Sequence, residues 1–367
     1  MNIRTIDEGR HHKREMLIND QVVCWLWAID YQMRIGSTQV RMGGIGGVET
    51  VREHRMKGYM RVLFEDTVQY LVAEGYDVSM LFGIPNFYTK FGYAVCLPTH
   101  KQVVQTRDAE EAKPRAGIKP VALESVDMGA VCELYNANNA QRTGTLVRFP
   151  EHFTQFSKGT WWGRPAEAIA LKDKAGKLLA YAAYDKADQV VNVVEVEAVD
   201  DELFPFLLYA FAEQAIEKRC GEINLHHPPD HPFAEYVQRF GCTWETECPR
   251  WGGGMMRAMN IQTLFDKIKL ELERRLDLGP SGSLALKTDI GTVVLRIQDG
   301  RLCIDSGGEA AVTLEVSQDK LTQMLVGYRS VRDVLSSPGV KATGNVLPWL
   351  DALFPRGYPY VWLADHF

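Results

Sequence analysis

The clearest pattern of apolar and polar positions in the chain runs from Gly43 to Tyr93. Its first part, Ile45 to Val51, predicts a short apolar strand. A polar loop follows, and then apolar residues recur at the three-to-four spacing that gives a helix one buried face. These positions are Met60, Leu63, Phe64, Val68, Leu71 and Val72. Gly75 stands where a helix end favours a residue with positive φ, so the pattern predicts a strand, a loop, a helix and then a second strand.

The loop before this helix carries the basic, glycine-containing segment Arg55 to Met60, with the sequence RMKGYM. The first backbone N–H groups of a helix have no intrahelical partner, and the helix dipole adds positive potential there. A strand, a basic turn and a helix N-terminus together form a site for an anion. The stretch therefore predicts the binding of a phosphate group.

The order of these parts resembles the GNAT acyl-CoA N-acetyltransferases. In this chain an RxxGxx segment lies between a strand and a helix, and the second strand leads into FYTKFGY, residues Phe87 to Tyr93. The sequence GGIGGVETV followed by HRMKGYM looks closest to the Eis-like branch of multi-domain acetyltransferases. The alternative interpretation is an ordinary strand–helix unit with a tight turn.

The resemblance implies where the cosubstrate acetyl-CoA would bind. The backbone from Val48 to Thr50 would pair with the pantetheine amides, the turn and helix start would wrap the pyrophosphate, and Gly83 and Ile84 would flank the thioester. The implied cofactor-binding residues are Val48, Glu49, Thr50, Met56, Lys57, Gly58, Tyr59, Met60, Arg61, Gly83 and Ile84. For all of these positions, a purely structural turn is the alternative.

Acetyl transfer needs a free amine beside the thioester and a proton for the departing thiolate. The resemblance implies Tyr88 as the proton donor; the alternative is an aromatic packing residue. A phenol with a pKa near ~10 donates to a thiolate whose conjugate acid lies near ~8.5 only with help from the site. In Eis-like enzymes the terminal carboxylate accepts a proton, and Phe367 matches that position. The alternatives are a C-terminus packed on its own sheet and Glu49 as the base.

The residues before Gly43 give weaker signals. Residues 1–20 are polar and predict no element, whereas Val22 to Ile29 predicts a strand buried on both faces. A turn at Asp30 and a further strand from Met33 to Met42 are expected. GNAT domains usually place a strand and two helices ahead of this region. The acceptor site is therefore either abbreviated or completed by other domains or another subunit.

A second block repeats the first. Gly75 leads to a strand, a proline-containing loop and Lys90-Phe91-Gly92, and Gly221 leads to a strand, a proline-containing loop and Arg239-Phe240-Gly241. The copy has Asp200-Asp201-Glu202 where a phosphate would need positive charge. We therefore expect a GNAT-like domain that does not bind CoA.

From about Asn260 the pattern changes to one helix followed by short strands. Asp299-Gly300 predicts a hairpin turn. This region resembles the sterol carrier protein-like domain that ends Eis-like chains. The predicted fold class is α+β, with two tandem GNAT-like domains and a C-terminal sterol carrier-like α/β domain. The predicted domains are 1–110 (catalytic, with a shortened N-terminus), 111–258 (degenerate) and 259–367 (sterol carrier-like), with a charged linker at 107–119.

Composition limits the classes of function. A chain of 367 residues suggests two or three domains, and 46% apolar with 24% charged residues is typical of globular proteins. Seven cysteines without a CxxC pair argue against a disulfide scaffold and a zinc ribbon. No secretory segment and no apolar run near the ~20 residues of a membrane span is found, so we expect a cytoplasmic protein without a membrane partner. The net charge of −6 disfavours nucleic acid and mildly favours a cationic amine.

Two further segments have candidate chemistry. His226 to His231, with the sequence HHPPDH, looks like a metal cluster, but its spacing fits no standard zinc pattern, so we expect no metal. Trp161-Trp162 and the segment Trp251 to Gly254 would line a pocket or pack at a domain interface.

The predicted function is acetyl-CoA-dependent N-acetylation of a primary amine by direct transfer. Aminoglycosides, polyamines and protein lysines are all compatible acceptors, and the resemblance implies a homo-oligomer. Two alternatives remain. One is a binding or sensor protein that keeps the CoA fold without turnover, and the other is a lipid-binding protein that works through its C-terminal domain.

Overall fold

The computed structural model describes residues 1–114, 117–186, 189–276, 280–298 and 300–367. Within these residues the architecture is mixed α+β, with two seven-stranded sheets and one five-stranded sheet. Asp299 of the expected hairpin, and residues 115 and 116 of the expected linker, lie outside the described residues.

The strands are β1 Asn2–Glu8, β2 His11–Ile18, β3 Gln21–Ile35, β4 Thr38–Thr50, β5 Val78–Gly83, β6 Ala94–Leu97, β7 Thr99–Gln105, β8 Val121–Ala122, β9 Ala166–Lys172, β10 Leu178–Asp185, β11 Val191–Ala198, β12 Glu222–Leu225, β13 Thr243–Glu247, β14 Gly253–Ala258, β15 Ser283–Thr288, β16 Gly291–Gln298, β17 Arg301–Asp305, β18 Val312–Glu315 and β19 Lys341–Thr343. The α-helices are α1 Tyr59–Ala73, α2 Thr106–Ala109, α3 Met128–Asn138, α4 Phe204–Glu217, α5 Pro232–Gln238, α6 Ile261–Arg275, α7 Gln318–Leu325, α8 Val331–Leu335 and α9 Leu347–Leu353.

The first two sheets share one strand–helix–strand arrangement. The first sheet has the order β1-β2-β3-β4-β5-β14-β6, and the second has the order β13-β7-β12-β11-β10-β9-β8. In the first, β4 and β5 are parallel and α1 connects them; in the second, β11 and β12 are parallel and α4 connects them. A parallel pair needs a crossover connection of this kind. The second block therefore repeats the arrangement of the first.

The two sheets exchange one strand each. β7 directly follows β6 in the chain, yet it lies in the second sheet between β12 and β13. β14 follows β13, yet it lies in the first sheet between β5 and β6. Each half thus completes the sheet of the other half, and the backbone hydrogen bonds of both sheets depend on the whole segment from β1 to β14.

The N-terminal part of the chain differs from the sequence prediction. Residues 1–20, expected to form no element, form the antiparallel pair β1 and β2, in which Arg4 pairs with Glu15 at 2.7 Å. The turn expected at Asp30 is wrong, because β3 continues to Ile35 and turns at Gly36. Asp30 remains within the strand because Arg41 and His12 donate to its carboxylate.

Two helical layers cover the first sheet. On one face α1 buries Leu63, Phe64, Val68 and Leu71 against the strands. On the other face the core is continuous with the third sheet, of order β17-β16-β15-β18-β19, and with Phe265 and Ile268 of α6. Each fully buried side chain of this size contributes about 1.5–3 kcal/mol. The first sheet therefore forms the centre of the molecule, with the ends of β4 and β5 near its middle.

Candidate functional site

The parallel strands β4 and β5 separate to form a fork. Their pairing runs from Met42–Ile45 on β4 to Val78–Leu81 on β5. Beyond Ile45, β4 continues to Thr50 and its pairing is with β3 alone. The register with β3 shifts between Trp25 and Trp27, where Gly47 has a φ of +55°. This bulge turns the backbone of β4 at the point where the fork opens.

A glycine is required at position 47 for two reasons. The positive φ is rarely adopted by other residues. A Cβ atom there would also lie 2.7 Å from Cδ1 of Trp27. The indole of Trp27 therefore rests directly on the backbone of the bulge and forms one wall of the fork.

The predicted anion site lies at the start of α1. Met56 has a φ of +62° and Gly58 a φ of +82°, and α1 begins at Tyr59 without a side-chain cap. Among the described residues, none accepts a hydrogen bond from the backbone N–H groups of residues 59–61. The first turn of α1 contains no acidic side chain. The free N–H groups, the dipole of the fifteen-residue helix and the neighbouring basic side chains together suit a diphosphate.

The predicted pantetheine-binding residues lie on the outer arm of the fork. Val48 faces the cavity at the fork, whereas the side chain of Glu49 is exposed and lies outside that lining. Thr50 pairs with Cys24 of β3. Glu49, considered above as a base, therefore contributes its backbone but not its carboxylate to the fork.

Tyr88 lies at the inner arm of the fork, in a short helical turn that follows β5. Its ring packs on Phe64 and Phe87, with centroids 5.3 and 4.9 Å away. Burial raises the pKa of the phenol above its usual value. Gly83 is needed beneath this ring, because a Cβ there would lie 2.4 Å from Cδ2 of Tyr88. Gly83 therefore makes room for Tyr88, while Ile84, the other residue predicted near the thioester, is largely exposed.

The C-terminal residue, Phe367, lies inside the fork. Its ring stacks on Tyr31 with centroids 4.9 Å apart, and it would lie 2.7 Å from a Cβ on Gly44. Its carboxyl carbon would lie 3.3 Å from a Cβ on Gly46. Because Gly44 and Gly46 have no side chains, the ring of Phe367 packs directly on the backbone of β4 at Gly44, and its carboxyl group packs on the backbone at Gly46.

Tyr88 and Phe367 line one cavity of about 880 Å³. Two other segments contribute to it: the first three strands, and a loop of the second block that contains Lys158 and Trp162. The full lining is Glu8, His11, Trp27, Ile29, Tyr31, Ile45, Gly46, Gly47, Val48, Phe82, Tyr88, Lys158, Trp162, His366 and Phe367. One side of this cavity is therefore completed by the second block of the chain.

A buried ionic cluster anchors the C-terminal segment. The guanidinium of Arg148 donates to both oxygens of Glu195 at 2.6 Å and to Asp365 at 2.8 and 3.0 Å. The hydroxyl of Tyr135 donates to Asp365 at 2.9 Å, and that of Tyr181 donates to Glu195 at 2.6 Å. All of these side chains are buried. Because Asp365 is two residues from Phe367, the cluster fixes the position of the terminal carboxylate.

His366 connects the anchor to the cavity. Its imidazole stacks on Phe82 with centroids 3.7 Å apart. Desolvation and the nearby charge of Lys158 lower its pKa to about 3. The ring is therefore neutral at physiological pH. It packs on Phe82 as an uncharged aromatic side chain.

Sequence reasoning missed several residues of this cavity. Trp162 was considered only as pocket lining or interface packing, and Lys158, His366, Trp27 and Tyr31 were not singled out. They come from segments distant along the chain, and no periodicity in the sequence links them. The glycines at 44 and 46 were visible in the GGIGGV segment, but their role depends on the position of the C-terminus.

The histidines of the HHPPDH segment have local structural partners. His227 donates from Nε2 to the amide oxygen of Gln102 at 2.7 Å, and His231 accepts from the backbone N–H of Phe233 at the start of α5. In the part of the chain that the structure describes, no group of three or more His, Cys, Asp or Glu side chains is arranged to hold a metal ion.

Residues 7–96 match the family model of an acetyltransferase (GNAT) domain. The chain carries a GNAT acetyltransferase domain. This domain is that of an acyltransferase enzyme, and it includes the fork, the start of α1 and Tyr88. The match also implies acetyl-CoA as the acyl donor. No curated protein matches the sequence.

Solved structures show the same fold over nearly the whole chain. A conserved protein from Enterococcus faecalis V583, described as a probable N-acyltransferase, has 16% identity and a TM-score of 0.78, covering 98% of this chain and 90% of that one. A GCN5-related N-acetyltransferase from Anabaena variabilis has 17% identity and a TM-score of 0.73, covering 97% and 89%. Eis1 from Mycobacterium abscessus has 15% identity and a TM-score of 0.68, covering 99% and 91%.

The comparisons agree with part of the predicted architecture. The fold is mixed α+β, its first two sheets resemble tandem GNAT folds, and a third sheet follows. The sterol carrier-like assignment of the last region stays a prediction. Within the described ranges, none of the helices combines the length and apolarity that a membrane crossing requires.

We expect Arg148→Met to release the C-terminal segment. The substitution leaves the carboxylates of Glu195 and Asp365 buried without a counter-charge, which costs about 3–5 kcal/mol in the free energy of unfolding. Urea denaturation measures this loss. Arg142→Met is the matched control, because Arg142 pairs with the half-exposed Asp230 and such pairs contribute about 0–1 kcal/mol. Equal losses in the two variants would contradict the anchoring role of Arg148.

We expect docking of the C-terminal segment to weaken in acid. The folded pKa of His366, about 3, is below the ordinary value of 6.5. Docking is therefore fully stabilised above pH 6.5 and weakens as the pH falls from about 6.5 toward 3. Hydrogen exchange of the peptide 360–367, corrected for intrinsic rates, should rise over this range in the wild type.

In His366→Gln this acid-dependent rise should be smaller; the remainder would come from His226 and His231, which also contact the segment and also have lowered pKa values. His152→Gln, which changes an exposed histidine, should behave like the wild type. If the wild type and His366→Gln show the same pH dependence, His366 does not control docking.

Proposed function

We propose that the protein transfers an acetyl group from acetyl-CoA directly to a primary amine. The observation that carries this proposal is that Tyr88 and Phe367 line one cavity, at the fork of β4 and β5, and that the carboxyl carbon of Phe367 lies against Gly46 of the same lining. A proton donor and a proton acceptor in one cavity are the two groups that aminolysis of a thioester requires. The acetyltransferase family match over residues 7–96 supports the same reaction.

The fork and the start of α1 would together hold acetyl-CoA. The unpaired edge of β4 after Ile45 offers backbone groups to the pantetheine amides, as an added strand would. The free N–H groups at residues 59–61 offer donors to the pyrophosphate, and Gly58 allows close approach of the backbone. The thioester then reaches the fork between Tyr88 and Phe367.

Proton movements balance with these two groups. The Phe367 carboxylate takes a proton from the acceptor ammonium and passes it to solvent. The free amine forms the new C–N bond as the C–S bond breaks, and Tyr88 protonates the departing thiolate. The acetylated nitrogen then loses a proton to the Tyr88 phenolate, which restores the phenol. Burial raises the pKa of Tyr88, but the same dry surroundings also raise the proton affinity of the thiolate.

We also propose that the second GNAT-like sheet does not bind CoA. The side chain of Asp200 accepts the backbone N–H of Glu202 at 2.8 Å, just before α4. Three carboxylates therefore surround the position that corresponds to the anion site of α1. The predicted domains 1–110, 111–258 and 259–367 remain part of the proposal, with β7 and β14 exchanged between the sheets of the first two. A sterol carrier-like last domain and a homo-oligomer also remain part of it.

Tyr88→Phe should reduce kcat by about 10²- to 10⁴-fold, the usual contribution of a general acid. Its dissociation constant for acetyl-CoA should stay at the wild-type value, because the fork and α1 are unchanged. Steady-state kinetics and calorimetry measure the two quantities. Tyr70→Phe, in α1 against Arg14 of β2 and outside the cavity lining, is the control. Wild-type turnover in Tyr88→Phe would refute the assignment.

A glycine added after Phe367 should also reduce turnover, by about 10²-fold. The addition moves the carboxylate by one residue, about 3.8 Å, so it no longer faces the acceptor amine. The control is a glycine inserted after the exposed Met1. Full activity of the extended protein would show that another group is the base.

A further inference from the structure

The cavity has two chemically different sides. One side is formed by Ile45, the bulge of β4 and Tyr88, and it would hold the thioester. We call the other side the acceptor wall, and its residues come from the first three strands and from the loop of the second block. They are Glu8, His11, Trp27, Ile29, Tyr31, Lys158 and Trp162.

The acceptor wall is rich in aromatic rings. Trp27 and Phe367 contribute rings to this surface, whereas the ring of Tyr31 is covered by Phe367, which stacks on it, and by the guanidinium of Arg10, 4.8 Å from its centroid. Trp162 stands at the mouth with 58% of its surface exposed. Aromatic faces of this kind bury flat apolar groups at low conformational cost.

Lys158 supplies a positive charge to the acceptor wall. Its Nζ lies 3.8 Å from the centroid of the Trp162 ring. No hydrogen bond or ion pair joins this nitrogen to any residue within the described ranges. Desolvation lowers its pKa to about 8, and the acidic side chain that opposes this shift, Asp365, is already bound by Arg148. A half-buried ammonium without a counter-charge favours an anion from a ligand.

The acidic groups near the wall are few. Glu8 is exposed at the rim, and the Phe367 carboxylate is needed for the reacting amine. An acceptor with several ammonium groups would therefore place its additional charges beside Lys158. Like charges in a partly dry cavity repel more strongly than in water. The wall thus disfavours aminoglycosides and polyamines, although the whole chain carries a net charge of −6.

We propose that the acceptor is a primary amine on a flat apolar body that also carries a carboxylate, with Lys158 binding the carboxylate and Trp162 covering the body. The proposal rests on the acetyl transfer proposed above. The Phe367 carboxylate receives the amine end of the same molecule, so the two ends of the acceptor meet opposite charges.

Three compounds with one ring test the charge preference. 4-(Aminomethyl)benzoate, benzylamine and p-xylylenediamine carry a carboxylate, a hydrogen and an ammonium-bearing group opposite the same reacting amine. Wild-type kcat/KM should be about tenfold or more higher for the carboxylate than for benzylamine, and lowest for the diamine. Lys158→Gln should remove the advantage of the carboxylate, and Lys158→Arg should retain it. Lys174→Gln, at an exposed turn, is the control.

A second comparison tests the flat body. 6-Aminohexanoate carries the same two charged groups on a flexible chain. Trp162→Ala should lower kcat/KM for 4-(aminomethyl)benzoate about tenfold more than it lowers that for 6-aminohexanoate, because only the first compound has a flat body to cover. Equal losses for both compounds would overturn the role of the aromatic wall.

Failure of this inference and failure of the proposed function give different results. If spermidine, kanamycin or the diamine is acetylated faster than the carboxylate, or if Lys158→Gln keeps the wild-type order, the inference is wrong while acetyl transfer stands. If no amine is acetylated, the transfer function is wrong. Calorimetry with 4-(aminomethyl)benzoate then decides the inference by itself, because binding to the wild type but not to Lys158→Gln supports the ligand class, and no binding to either refutes it.

Discussion

The geometry of the site depends on the ionic cluster around Arg148. One guanidinium, buried among Tyr135 and Phe153, is bonded to the carboxylates of Glu195 and Asp365. Burying these charges is costly, and only close hydrogen bonds on every side offset the cost. The cluster therefore contributes more to the position of the C-terminal segment than to the net free energy of unfolding. It holds the end of the chain against the second sheet, two residues before the carboxylate that enters the fork.

The acidic side of the cluster extends further into the second sheet. Glu197 accepts from Asn138 and Asn139 at 2.7 and 2.6 Å, and burial together with Glu195 raises its pKa to about 8. It is therefore mainly protonated at neutral pH, which keeps a third negative charge away from Arg148. The second sheet thus positions a part of the first site, because it carries Glu195 and Glu197.

Sequence patterns predicted the features that neighbouring residues determine. They did not predict the contacts between segments that are distant along the chain. The helix after the basic turn, its end at Gly75 and the position of Tyr88 follow from periodicity, from glycine conformation and from a motif of about fifty residues. β1 and β2 were missed because their polar residues are satisfied across the pair, as in Arg4 with Glu15. Lys158 could not be assigned because its environment is created by Trp162, the first three strands and the C-terminal segment together.

The exchange of β7 and β14 explains why the fork of the first sheet and the second block of the chain lie next to each other. Because β14 lies between β5 and β6, the inner arm of the fork cannot form without a strand that follows the second sheet. Gly254 of that strand must lack a side chain, since a Cβ there would lie 2.6 Å from Cβ of Leu97. The second sheet is thereby fixed relative to the fork, and so are Arg148 and Lys158, which lie between α3 and β9. The charge preference proposed for Lys158 would thus follow from the strand exchange, and net charge alone could not indicate it.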